Sequence, residues 1–203
     1  MGKIKVHRSA PSLDMTPMVD LAFLLVTFFM LTTKFAPEEP VAVDMPSSTS
    51  EIRLPDTDIL TITISKEGAV YFNMDGKYTR ATLLGKMGSK YGVEFTPEET
   101  ARFALLPSFG LPMNALKGYL DLTPDERKLV TNQPGIPCDS VHNELQDWIV
   151  MSRISNPKPK LRIAVKGDGS SSYPAVKDVI KTLVDRKVNR FNLITNLERT
   201  AKD

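Results

Sequence analysis

The chain has 203 residues, with 26 Lys and Arg against 24 Asp and Glu, a formal net charge of +2. This length suffices for one modest domain and an anchor, and the near balance of charges without a dense basic stripe argues against a nucleic-acid-binding protein. One cysteine excludes an internal disulfide, and two widely separated histidines argue against a structural zinc site.

An apolar helix is the first element predicted along the chain. The chain is almost wholly apolar from Met18 to Thr33, and segment 13–35 reaches the length of about 20 residues that one bilayer crossing needs. Its apolar side chains cover every face of a helix, which leaves none for water and argues against a helix of a soluble protein. A cleaved signal peptide is also disfavoured, because the apolar stretch is too long, contains Asp20 and lacks a good cleavage site. The pattern predicts an uncleaved transmembrane helix over 13–35.

The charges on either side of this helix predict its orientation. Segment 1–12 contains four basic or potentially basic residues, whereas acidic residues follow soon after the helix. The positive-inside rule therefore places segment 1–12 in the cytoplasm. The chain beyond residue 35 then lies outside the cytoplasm, which means the periplasm in a bacterium with two membranes.

Asp20 is the unusual residue of the helix, because a carboxylate in a membrane is costly and usually functional. Thr16 is predicted to be the N-cap and Pro17 the first helical residue. Spacings of four and seven residues place Thr16, Asp20 and Thr27 on one face. Two alternatives stay open. Thr27 can bond to a carbonyl of its own helix, and Asp20 can be an interfacial residue favoured by the helix N-terminus.

Segment 36–58 is predicted to be a linker, since it contains four prolines and several Ser and Thr residues. Within it, Val41, Val43 and Met45 alternate with other residues ahead of Pro46. This alternation is compatible with a strand that adds to an exposed sheet edge and serves as a partner-binding segment. A plain spacer is the other interpretation, and the pattern does not separate the two.

Segment 59–203 is predicted to form one α+β domain, which begins with a hairpin. ILTITIS (59–65) alternates apolar residues with threonines, as a half-buried strand does. The turn SKEG then leads to a second strand, GAVYFN (68–73). TRATLLGKMGSKY (79–91) is predicted to be a short helix that two glycines weaken.

Helices are predicted in the segment from about 92 to 157. Thr96-Pro97 and Thr123-Pro124 each begin a capping-box pattern with Pro at the first helical position. A further helix over 140–154 is predicted to present one face to the core, composed of Val141, Leu145, Trp148, Ile149 and Ser152.

A strand, a helix and a strand complete the chain: LRIAV (161–165), YPAVKDVIKTLVDRK (173–187) and FNLITN (191–196). The Gly-rich turn KGDGSSS lacks a phosphate-loop pattern, so Asp168 is interpreted as a turn residue. The inward face of the helix is predicted to consist of Val176, Val179, Ile180, Leu183 and Val184. The whole order predicts a single transmembrane helix followed by a small α+β periplasmic domain, β-β-α-[helical insertion]-β-α-β, with helices on one face of the sheet.

The segment DMTPMVDLAFLLVTFFMLTTKF (14–35) resembles the ExbD/TolR family of energy-transducing inner-membrane proteins. In that family a Thr-Pro precedes a transmembrane helix whose Asp comes three residues after the Pro, the spacing of Pro17 and Asp20 here. VAVDMPSS (41–48) resembles the family's extended segment that ends in Leu-Pro, with Met45 in place of Leu.

The end of the chain carries a second part of the resemblance. Residues 160–197 are similar to the family's final strand-helix-strand unit, with Lys166-Gly167-Asp168 where the family tends to have Arg-Ala-Asp. Residues 92–157 do not match the short family members and are interpreted as an insertion, called the insertion below.

The resemblance implies an ion-driven role. An ExbD-like dimer would sit within a ring of an ExbB-like channel protein, and proton flow past Asp20 would drive motion that passes to a TonB-like transducer. A TolR-like role with a TolA-like partner, or a gliding-motor stator, is the alternative in the same class. A membrane-anchored scaffold without energy coupling is the alternative from another class.

No enzyme, cofactor site or metal site is expected. The chain contains no GxSxG or HExxH motif, no CxxC pair and no Cys/His cluster. The two Thr-Pro-acid repeats are interpreted as helix starts rather than as paired catalytic carboxylates. The sequence thus favours a protein that works through contacts and charge movement.

Overall fold

The computed structural model describes residues 15–33, 41, 43–45, 47–48, 58–130, 132–139, 141–156, 161–188, 190–194 and 196–197. The chain divides into two units, Met1–Pro37 and Glu38–Asp203.

Helix α1, Thr16–Thr32, is the described element of the first unit. It begins one residue earlier than predicted. Met15 occupies the N-cap without a side-chain cap bond, so Thr16 is not the N-cap and Pro17 is the second helical residue. Pro tolerates this position because the N–H groups of the first turn have no partner within the helix.

The predicted membrane span over 13–35 extends beyond the described residues at both ends. Within the described part of the chain, no helix combines the length and the apolar character that a membrane crossing needs.

The second unit contains six strands and six helices within its described residues. In chain order they are β1 (Ser47–Ser48), β2 (Ile59–Ile64), β3 (Val70–Met74), α2 (Lys77–Tyr91), α3 (Pro97–Leu105), α4 (Met113–Asp121), α5 (Pro124–Leu129), α6 (Glu144–Ser155), β4 (Arg162–Gly167), α7 (Tyr173–Asp185), β5 (Phe191–Ile194) and β6 (Asn196–Leu197). From β2 to β5 this is the predicted order, except that α4 had no sequence signal of its own.

Four strands form the main sheet, in the order β3-β2-β4-β5. The hairpin of β2 and β3 is antiparallel, whereas β4 pairs parallel to both β2 and β5. Alternation along β2 buries Leu60, Ile62 and Ile64 completely, as its sequence predicts. Helix α7 connects β4 to β5, as a parallel pair requires a crossover.

The insertion covers the outer edge of β3. Phe72 and Phe109 exchange two backbone hydrogen bonds of 2.8 and 3.1 Å, and the N–H of Ile136 donates to the carbonyl of Val70 at 2.8 Å. Gly135 enables this approach, because it has a φ of +92° and a Cβ there would lie 2.7 Å from the nitrogen of Val70. The insertion thus occupies an edge that would otherwise be open to strand pairing.

The insertion also shares the core of the sheet. The Trp148 ring lies 5.0 Å from that of Phe109 and 5.6 Å from that of Phe72, between ring centroids, and Phe103 packs against both Trp148 and Phe109. All four rings are buried. The predicted core positions Leu145, Ile149 and Ser152 are buried too.

Three predicted core positions are wrong. Val141 is 84% exposed, because Asn143 caps α6 and the helix begins only at Glu144. Ile180 and Val184 are exposed on α7, whereas Val179 and Leu183 are fully buried. The apolar stripe of α7 is wider than its contact with the sheet, since β5 ends the sheet and no described strand lies beyond it.

Candidate functional site

Two regions contain the predicted site residues: the acid of α1 and the segment that docks near the end of β4. Asp20 lies in the second turn of α1 with an exposed side chain. The large apolar side chains of α1 are more than half exposed on every face of the helix. No described residue donates a hydrogen bond to the Asp20 carboxylate. The acid therefore stands in an exposed surface that is otherwise mostly apolar.

The predicted polar face of α1 has the expected geometry. Thr16, Asp20 and Thr27 share one side, because residues four or seven apart in a helix project in nearly the same direction. The Thr27 hydroxyl donates to the carbonyl of Leu24 at 2.9 Å, which is the alternative that the sequence left open for this residue. Thr27 therefore meets its hydrogen-bonding needs within its own helix.

The linker docks through the backbone of Asp44. Its N–H donates to Oδ2 of Asp168 at 3.0 Å, and its carbonyl accepts from the N–H of Gly169 at 2.8 Å. Three residues further on, β1 pairs parallel with β6, so that Ser47 faces Asn196 and Ser48 faces Leu197. Both contacts involve backbone that follows directly after β4 and β5.

The predicted partner-binding residues lie on either side of Asp44 and before β1. Val41, Val43 and Met45 are half-buried, and Pro46 lies outside the described residues. VAVDM is not a strand in its described part, since the ladder involves residues 47 and 48. The linker therefore corresponds to neither sequence interpretation alone, because it pairs as a strand later than predicted and docks through a turn before that.

Asp168 makes a contact with the linker that the sequence did not reveal. It is a turn residue as interpreted, because Oδ1 accepts from the N–H of Ser170 at 2.7 Å. Its second oxygen accepts from a residue 124 positions away. Only the likeness of Lys166-Gly167-Asp168 to a family motif pointed to this position.

A polar pocket of about 210 Å³ lies between α6 and α7, lined in part by Cys138, Asn143, Asp178 and Thr182. Burial raises the pKa of the Cys138 thiol to about 11, and the charges of Asp178 and Asp139 add to this. The thiol is therefore protonated at neutral pH and a poor nucleophile. Among the described residues, no group of three His, Cys, Asp or Glu side chains is placed to hold a metal ion.

Comparison with known proteins identifies the N-terminal part of the chain. Residues 7–96 match the family model described as biopolymer transport protein ExbD/TolR. No curated protein and no solved structure matches the chain. The match includes α1 with Asp20, the linker and the elements from β2 to α2, and it ends at the N-cap of α3. Residues 7–96 are therefore similar to the ExbD/TolR family of biopolymer transport proteins.

Proposed function

We propose that this protein is the proton-driven, energy-transducing subunit of an ExbB-ExbD-TonB-like motor in a bacterial inner membrane, with Asp20 as its proton carrier. The match of residues 7–96 to the ExbD/TolR family model supports the energy-transducing class. The observation that carries the specific role is the position of Asp20, a single acid in a helix whose other residues are nearly all apolar. Acids in such settings commonly belong to ion pathways.

The proposal includes membrane anchoring over 13–35, with segment 1–12 in the cytoplasm and segment 59–203 in the periplasm. The exposed apolar surface on all sides of α1 supports it, since such a surface is stable when lipid or other apolar helices surround it. The described helix has 17 residues, and segment 13–35 extends beyond it at both ends, through the charged Asp14 and Lys34 to the apolar Leu13 and Phe35.

Proton loading of Asp20 would supply the coupling step. An ionised carboxylate away from water is costly unless it is paired, whereas a protonated one can face apolar surroundings. When Asp20 takes up a proton, it can therefore face apolar surroundings. When it loses the proton, it again prefers a polar partner. One charge that crosses about 100 mV releases roughly 2.3 kcal/mol, and a pH difference adds to this.

Asp20 requires a partner from another chain. Thr27 shares its face, but the Thr27 hydroxyl is engaged with Leu24. Polar groups that receive the charged carboxylate would thus come from an ExbB-like ring of helices around a homodimer of this chain. The linker would pass the resulting motion to the domain and on to a TonB-like or TolA-like transducer.

Exchange of Asp20 tests the proposal. Asp20→Asn preserves the shape of the side chain but cannot cycle a proton, so it should assemble with its membrane partners and abolish energised function. Asp20→Glu keeps the acid and should retain part of the activity. Energised uptake and envelope integrity are both to be measured, because the family model includes ExbD and TolR.

Co-purification of the partner ring is the control for assembly. If Asp20→Asn supports both functions at the rate of the unmodified chain, Asp20 carries no proton and the anchored-scaffold alternative replaces the motor. If Asp20→Asn fails to assemble, Asp20→Glu becomes the deciding variant, since an assembled and fully inactive Glu variant would also contradict the proposal.

A further inference from the structure

The two carboxylate oxygens of Asp168 accept hydrogen bonds from two different parts of the chain. Oδ1 closes the turn after β4 by accepting from Ser170, and Oδ2 accepts from the N–H of Asp44. The backbone of the turn is held as well, since the N–H of Asp168 donates to Ile64 at 3.2 Å. The second oxygen is therefore presented to the linker from a turn that the sheet holds in place.

Asp44 contributes only backbone atoms to this contact. Its side chain is exposed, and its N–H and carbonyl bond to Asp168 and Gly169. The side chain at position 44 is therefore not what the domain recognises. Asp168 supplies the one side chain in the pair, and a charged acceptor makes a stronger hydrogen bond than a neutral one.

Docking at Asp44 shortens the covalent tether between α1 and the sheet. From Thr33 to Asp44 the chain spans at most about 40 Å when fully extended, at up to about 3.6 Å per residue. Without this contact, the next described attachment of the linker is Ser47 in β1, and the tether from Thr33 to Ser47 spans at most about 50 Å. A hydrogen-bonded pair of residues thus decides which of two reaches the domain has.

We propose that Asp168 is a positioning residue that holds the linker at Asp44 and thereby sets how far the domain can move from its membrane anchor. The holding role depends only on the domain, whereas the consequence for reach rests on the anchoring that is proposed above for α1. Breaking the bond between Asp168 and the linker would convert the short tether into the long one.

Hydrogen exchange of the full-length protein in detergent, followed by mass spectrometry, tests the holding role. Asp168→Asn retains one acceptor oxygen for the turn and loses the charged acceptor for Asp44. Exchange of the Asp44 amide, followed in the peptide that spans 41–48, should become about tenfold faster or more, the factor that loss of a charged hydrogen bond implies.

Asp44→Ala is the matched control, because it keeps the backbone groups and should leave exchange of 41–48 unchanged. Peptides of α7 should exchange equally in all variants, which shows that the domain remains folded. The holding role is wrong if 41–48 is unprotected in the unmodified chain, if Asp168→Asn leaves its exchange unchanged, or if Asp44→Ala accelerates it as much as Asp168→Asn does.

Distance measurement between spin labels tests the reach. Labels at Thr33 and at the exposed Lys66, in a Cys138→Ser chain diluted with unlabelled protein, should show a distribution that shifts to longer distances in Asp168→Asn. An unchanged distribution together with faster exchange would overturn the effect on reach alone. Neither measurement uses an ion gradient, so both are independent of whether Asp20 carries a proton.

Discussion

Two glycines of α2 differ in what surrounds them. Gly88 is buried, and a Cβ there would lie 2.4 Å from the carbonyl oxygen of Val93 and 3.1 Å from the Phe95 ring. Gly85 is exposed, and a Cβ there would meet nothing within 4 Å. Both lie in the interior of the helix, where Gly costs conformational entropy. The close approach of the backbone at Val93 therefore explains Gly88, and no contact explains Gly85.

Alanine at these two positions should have opposite effects on stability. Gly85→Ala should raise the free energy of unfolding by about 0.5–1 kcal/mol, because it removes the entropic cost of Gly. Gly88→Ala should lower it by about 1–3 kcal/mol, since the methyl group is forced against backbone. Chemical denaturation of the full chain in detergent measures both. Equal effects of the two variants would mean that the chain does not pass as closely to Gly88 as the structure shows.

Helices α3 and α5 begin with the same capping arrangement. Thr96 and Thr123 each accept from the N–H three residues on, and the Glu at that position bonds back to the N–H of the Thr, as the sequence predicts. The two differ in burial, since Glu99 is buried and Glu126 lies in solvent. The bond from the N–H of Thr96 holds the pKa of Glu99 below its usual value, with Asp121 and Lys117 lowering it further.

The lowered pKa of Glu99 predicts how its contribution to stability depends on pH. A carboxyl whose pKa is lower in the folded state stabilises the fold above its unfolded pKa, about 4.3 for Glu, and loses this contribution as pH falls through the folded value. Glu99→Gln should therefore be less stable than the unmodified chain at pH 7, by a margin that shrinks as the pH falls below about 4.

Denaturation curves across this pH range measure the margin. Glu126→Gln is the matched control, because it occupies the same place in α5 and should show a smaller margin for an exposed group. A margin for Glu99→Gln that stays constant from pH 7 to pH 3 would show that the charge of Glu99 makes no contribution.

Thr96→Ala tests the other half of the same capping box. Loss of the hydroxyl that accepts from the N–H of Glu99 should cost about 1 kcal/mol of stability, the usual value for an N-cap. Thr96→Ser keeps the acceptor and should cost much less. If the two variants were equally unstable, the loss would come from the methyl group of Thr96 and not from its cap.

At the scale of the whole molecule, the insertion is part of the fold rather than an addition to it. Its rings Phe103, Phe109 and Trp148 lie in the same core as Phe72 of β3, and its backbone covers the edge of that strand. The family match ends at residue 96, within the first residues of the insertion. Residues outside the matched part therefore cover the edge of β3, and β5 is left as the edge whose described pairing is with β4 alone.

The proposed membrane topology predicts which ends of the chain are accessible. A tag before Met1 should be protected from protease in intact spheroplasts, whereas a tag after Asp203 should be removed. Basic residues before 13 and acidic residues after 35 are the reason. Permeabilised cells serve as the control, since both tags must be cleaved there. Cleavage of the N-terminal tag in intact spheroplasts would reverse the orientation and the proposed role of Asp20 with it.

Interactions between residues that are close in sequence account for the elements that could be predicted without a structure. The capping boxes at Thr96 and Thr123, the alternation of Leu60, Ile62 and Ile64, and the apolar run around Asp20 each depend on neighbours within a few residues. Signals of this kind predicted the elements from β2 to β5 apart from α4, which begins after a Pro without a capping side chain of its own.

The features that the sequence did not predict depend on contacts between residues that are distant along the chain. Ile180 and Val184 have the period of a buried face, but burial depends on what lies opposite, and the sheet ends at β5. The cover on β3 and the bond from Asp44 to Asp168 join residues tens of positions apart or more, so no local pattern specifies them. Composition and spacing are sufficient for an apolar helix with one acid, because that pattern lies along the chain. Packing alone decides which backbone groups meet, since hydrogen bonds require atoms about 3 Å apart in space.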